Sequence, residues 1–122
     1  VQIHSLRLTG HTLEVGLRGE LDAACSAELS QTLDRMARLC AERGLSRLAL
    51  DMSEVEFFDS SAVMVLLECR RQMARVGATL SIPRASRCVV RVLAILGLQS
   101  LFEGEAGSLL EEVQAARRHT DP

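Results

Sequence analysis

The chain has 122 residues, a length that suits one domain and allows a core to form without disulfide staples. Fourteen basic and sixteen acidic side chains leave a formal charge of −2, and the aromatics are three Phe with no Trp or Tyr. Neither neutralisation of a phosphate backbone nor stacking on nucleobases is therefore a basis for function, and direct nucleic-acid binding is not expected.

The predicted elements follow from hydrophobic periodicity. Leu6 and Leu8 alternate with polar neighbours, Thr9-Gly10-His11 turns the chain, and Leu13, Val15 and Leu17 alternate again, so the chain opens with a hairpin of half-buried strands. Residues 18–22 break that pattern. Leu29, Leu33, Met36 and Cys40 recur at helical spacing, with Asp22 or Ser26 as candidate cap and Gly44 as the stop. Residues 45–52 read as a strand, and the unbroken apolar run Leu48-Ala49-Leu50 marks it as buried. A short connection leads to Asp59-Ser60-Ser61 and a second helix, with Val63, Leu66, Leu67, Arg70 and Ala74 along one side and Gly77 at its end. A strand at 78–82 is closed by Pro83. Ser86 then caps a third helix carrying Val89, Val90, Leu93 and Leu96, which Gly97 ends. Leu98, Leu101 and Phe102 form a brief edge strand, a last helix runs from about Ser108, and the tail 118–122 frays. The order β-β-α-β-α-β-α-(β)-α is an α/β pattern. It predicts a mixed sheet of four to five strands with about four helices mainly on one side, in a single domain over residues 1–122.

The four cysteines, Cys25, Cys40, Cys69 and Cys88, contain no C-x-x-C pair, so zinc and dithiol chemistry are set aside and buried, inert thiols are expected in a reducing cytoplasm. No apolar run reaches transmembrane length and no signal-peptide pattern opens the sequence, so no membrane association is expected. Arg70, Arg71 and Arg75 read as a solvated helix face, and so do Glu103, Glu105, Glu111 and Glu112. No Gly-x-Ser-x-Gly elbow, glycine-rich phosphate loop or metal-ligand cluster is present. Asp51 ends a strand as the phosphoacceptor of a response regulator does. It has neither that family's opening acidic cluster nor its later strand lysine, and reads instead as a loop-ordering acid. The expectation is a protein with no catalytic residues, no metal and no cofactor.

The informative stretch runs from Leu50 to Ala62: a buried strand ends, a connection follows, and Asp59-Ser60-Ser61 opens a helix. By local chemistry alone this is a helix cap. It also resembles the signature of STAS domains, above all the bacterial anti-sigma factor antagonists, whose pattern is a strand ending in Asp or Asn, an apolar residue before Phe, then Asp-Ser-Ser-Gly. Gly19-Glu20-Leu21-Asp22, Gly77-Ala78-Thr79-Leu80, Leu96-Gly97-Leu98 and Leu101-Phe102 match further family motifs in order, so the resemblance spans about Leu13 to Phe102.

The resemblance implies an interaction switch. The unphosphorylated protein binds an anti-sigma factor that is also a serine kinase and so frees a sigma factor; phosphorylation of the first serine ends binding, and a phosphatase restores it. Carried onto this chain, Ser60 is the phosphate acceptor, and Asp22, Asp59, Ser60, Ser61, Ala62 and Met64 form the partner surface. Ala62 stands where the family has Gly, a departure that bears on partner identity and on how readily the serine is phosphorylated. STAS domains also serve as scaffolds or regulatory subunits in stressosomes, transporters and lipid-transport complexes, an alternative use without a kinase cycle.

Overall fold

The computed structural model describes residues 1–98. Strands β1 (Gln2–Thr9) and β2 (Thr12–Leu21) form the opening antiparallel hairpin, and Gly10 takes the left-handed φ of 60° at its turn. A 3-10 turn, Ala23–Cys25, leads into α1 (Ser26–Arg43). Then come β3 (Arg47–Phe58), α2 (Ser60–Arg75), β4 (Thr79–Ala85) and α3 (Arg87–Ile95). The sheet order is β1-β2-β3-β4, and β2, β3 and β4 run parallel. Parallel neighbours need crossovers, which α1 and α2 supply.

The alternation of side chains along each strand divides the sheet into unlike faces. Leu13, Val15 and Leu17 of β2, Leu48, Leu50 and Met52 of β3, and Leu80 and Ile82 of β4 are all buried on the face the helices cover. Helix α1 contributes Leu29, Leu33, Ala37 and Cys40 to this core, and α2 contributes Ala62, Val63, Leu66, Cys69 and Met73. Each fully buried Leu, Val or Met is worth about 1.5–3 kcal/mol. The intervening strand positions, among them Glu14, Gly16, Ala49, Asp51 and Ser81, are small or polar. This is the mixed α/β sheet with helices mainly on one side that the periodicity predicts, with four strands and three helices among the described residues. The expected strand at Leu101 and Phe102, the helix from Ser108, the four-glutamate patch and the tail lie outside those residues.

Several boundaries differ from expectation. Strand β2 continues to Leu21 and β3 to Phe58, because residues 18–21 pair with residues 54–58 in parallel. Two register shifts in that ladder break the period of two and hide the strand in the sequence. Asp51 orders one such irregularity within β3, not a loop: its Oδ1 accepts from the Ser53 amide at 3.0 Å and the Ser53 hydroxyl at 2.6 Å. Pro83 does not close β4, which runs on to Ala85; β4 is the outer strand of the described sheet, where a missing N–H is tolerated.

Helix α2 buries Cys69 and Met73 in place of Arg70 and Ala74, which are exposed, and Leu67 is half-buried. Leu96 lies exposed beyond the buried face of α3. Ser86 holds the N-cap position of α3 without a side-chain capping bond. Leu6 and Leu8 face the helix layer but remain 55% exposed, because β1 is the sheet edge.

Candidate functional site

Leu21 and Phe58 are register partners, so the parallel strands β2 and β3 end side by side. The loops that follow them, beginning at Asp22 and Asp59, are thereby brought to one end of the sheet. Both aspartates have the extended backbone of an N-cap. Asp22, not Ser26, does the capping on the first loop: its Oδ1 accepts from the Cys25 amide at 3.1 Å and so caps the 3-10 turn. The cap of α1 itself, Cys25, makes no side-chain capping bond.

Asp59 caps α2. Its Oδ1 accepts from the Ser61 amide at 3.0 Å, from the Ala62 amide at 3.3 Å and from the Ser61 hydroxyl at 2.5 Å. Its own carbonyl accepts from the Val63 amide at 3.2 Å. The Ser61 hydroxyl holds the Asp59 carboxyl below its usual range, against an opposing push from partial desolvation; the amides of Ala62, Ser61 and Ala23 add to the lowering. Ala23 belongs to the first loop, so the Asp59 charge also senses the β2–α1 connection.

The two serines therefore differ. Ser61 is half-buried with its hydroxyl committed to Asp59. Ser60 is exposed, and among the described residues its hydroxyl has no hydrogen-bond partner. The helix N-terminus offers an anion few free donors, because Asp59 already takes the Ser61 and Ala62 amides. A phosphate on Ser60 would meet an ionised neighbour and few free N–H groups.

Of the remaining expected surface residues, Met64 is 61% exposed and Asp22 is half-exposed. Ala62 is fully buried, so its methyl belongs to the core and not to a contact surface. Phe57, absent from the expected surface, is 49% exposed beside Glu20. The signal that exposes it is the pair Phe57-Phe58: neighbouring residues of a strand cannot both face a core that lies on one side.

The cysteines divide in the same way. Cys40 and Cys69 are buried; burial pushes the Cys40 thiol up and the Cys69 thiol up to about 12. Cys25 and Cys88 are only half-buried, against the expectation of buried thiols. A hydrogen bond to Asp22 raises the Cys25 thiol, and the Cys88 thiol donates to the Val55 carbonyl at 3.3 Å. No group of three or more His, Cys, Asp or Glu able to hold a metal occurs among the described residues. Nor is any helix among them long and apolar enough to cross a membrane.

A family model described as "Mlab, STAS domain" matches residues 4–116. The chain belongs to the STAS family. Among solved structures, this STAS domain is similar to the anti-sigma factor antagonist SpoIIAA in its unphosphorylated form, at 20% identity and a TM-score of 0.65, covering 97% of this chain and 98% of that one. SpoIIAA of Bacillus, described as a cell fate determinant, matches in its phosphorylated form at 20% identity and a TM-score of 0.59, covering 93% and 96%. The NMR structure of the protein TM1081 matches at 16% identity and a TM-score of 0.66, covering 93% and 90%. At these identities the structural likenesses establish the fold. No curated protein matches this STAS domain in sequence.

Proposed function

We propose that this STAS domain is an anti-sigma factor antagonist. In its unphosphorylated state it binds an anti-sigma factor with serine kinase activity and thereby releases a sigma factor. Phosphorylation of Ser60 by that kinase ends the interaction, and a phosphatase reverses the modification. The observation that carries the reading is the contrast between the serines: Ser60 offers an exposed, uncommitted hydroxyl, whereas Ser61 is bound to Asp59. Family membership and the likeness of fold to SpoIIAA support it. The role is one of binding and regulation, not of catalysis.

The mechanism is electrostatic and steric. Phosphate adds about −1.5 to −2 charges at pH 7. At Ser60 this charge adjoins Asp59, which the Ser61 hydroxyl keeps ionised. A partner packed over this end would have to desolvate both charges and accommodate the added bulk. The deciding experiment incubates the protein with its kinase-type anti-sigma factor and ATP, then maps the phosphate by mass spectrometry. Label at Ser60, constitutive binding by Ser60→Ala and weakened binding by Ser60→Asp are expected. Label confined to Ser61, or an affinity that phosphate does not change, would sink the proposal.

A second reading draws on the description of the matching family model, that of the Mlab STAS domain. In it the same surface anchors a scaffold or a regulatory subunit, as in a transporter-associated or lipid-transport complex, and no kinase acts. Ser60→Ala and Ser60→Asp would then assemble alike, and no phosphate would appear at Ser60 in cells.

A further inference from the structure

Phe57 and Phe58 are consecutive residues of β3, so they project to opposite faces of the sheet. Phe58 is 4% exposed in the core, while Phe57 is 49% exposed. Phe57 belongs neither to the buried cluster nor to the partly buried residues packed against it. Its register partner on β2 is Glu20, one residue before the Leu21–Phe58 pair, so the ring stands at the same sheet end as Asp22 and Asp59.

Four carboxylates mark this end: Glu20 and Glu56 are exposed, and Asp22 and Asp59 are half-buried. None of them pairs with a basic side chain among the described residues; Arg18 is taken by Glu54 at 3.2 Å. On the helix side of the same end, Met64 is 61% exposed one turn beyond Ser60. A half-exposed aromatic among unpaired like charges matches the anchor-and-rim anatomy of a protein interface.

We propose that Phe57 is a second anchor of the partner surface, and that the partner covering it presents an apolar pocket rimmed by basic side chains. This rests on the reading of the α2 N-terminus as a partner surface, and extends that surface past the strand end onto the other face of the sheet. The apolar pocket follows from the bare ring, and the basic rim from charge complementarity to Glu20, Asp22, Glu56 and Asp59.

The test places the photocrosslinker benzoylphenylalanine at Phe57, at Met64 and, as a control at the far end of α2, at Val76, in the full chain in its native cells. The positions of Phe57 and Met64 should crosslink to one and the same protein, identified by mass spectrometry of the adduct, and the Val76 position should not. With that protein purified, Phe57→Ala should weaken binding by about tenfold or more. The variant's melting temperature should stay within a few degrees, and added salt should weaken binding of the unmodified chain.

Crosslinking from Met64 but not Phe57, different proteins at the two positions, or an unchanged affinity of Phe57→Ala overturns the anchor and leaves the α2 reading standing. Binding that salt does not weaken overturns the basic rim. If neither position crosslinks, both readings fall. If both capture one protein that is not an anti-sigma factor, the anchor stands and the antagonist function falls.

Discussion

A single oxygen, Asp59 Oδ1, holds the first turn of α2 by accepting two amides and one hydroxyl. Asp59→Ala should therefore cost about 1 kcal/mol, up to about 2, in denaturant unfolding. Ser61→Ala removes one donor to the same oxygen and should cost less, roughly 0.5–1 kcal/mol. Ser60→Ala, at an exposed hydroxyl without a partner, should stay within about 0.5 kcal/mol of the parent. A Ser60 variant more destabilised than the Ser61 variant would contradict this division of roles.

The same oxygen makes a pH prediction. The Asp59 carboxyl titrates lower in the folded chain than in the unfolded one, so its contribution to stability is fully present above the ordinary carboxylate value. It is lost as pH falls through the lowered value. Asp59→Asn should be less stable than the parent at neutral pH, and the gap should narrow as pH falls below the ordinary carboxylate value of about 4. Melting curves across that range check it; a gap that does not change with pH would refute it. The capping potential of Asp59-Ser60-Ser61 is legible in the sequence. Which serine is locked and which is free is not, because it depends on a side-chain rotamer.

At the scale of elements, what could be read depended on whether periodicity survived. Helix α1 and the strand around Leu13–Leu17 keep a clean period, and the unbroken apolar run Leu48-Ala49-Leu50 marks the core of β3, so these elements are legible. The extension of β3 to Phe58 is not, because shifts in its ladder with β2 break the alternation between Asp51 and Glu54 and again between Val55 and Phe57. The sequence pattern of α2 points one step out of phase: Leu67 and Ala74 are apolar enough to suggest a stripe, yet Cys69 and Met73 take the core. That phase also puts Ala62 inside, so the Ala-for-Gly departure acts on packing before it acts on partners. Ala62→Gly should lose about 1 kcal/mol of helix propensity and about 0.8 kcal/mol more from the missing buried methyl. Chemical denaturation should show a total loss of roughly 1–2 kcal/mol with partner affinity nearly unchanged. A gain in affinity would mean that the backbone at this position meets the partner.

At the scale of the molecule, stability and switching are carried by different parts. The core lies between one sheet face and the helices, where Leu50, Leu66 and Leu93 are fully buried. Leu50→Ala should cost about 2–5 kcal/mol. The candidate switch sits at the rim of this layer, where two strands end and the first turns of their following elements begin, and Ser60 contributes no side-chain contact to the core. A phosphate there should leave the fold unchanged. In amide NMR spectra of the phosphorylated chain, shifts should move in the two loops and the first turn of α2, roughly residues 20–25 and 57–64. The amides of β4 and the second half of α1 should stay in place. The melting temperature should change by no more than a few degrees, since an exposed surface change rarely exceeds about 0.5 kcal/mol. Partner affinity should nevertheless fall about 5–150-fold, the range of a coupling of about 1–3 kcal/mol. Shifts spread through the sheet would replace this local charge switch with a conformational one, in which the Asp59 cap itself gives way.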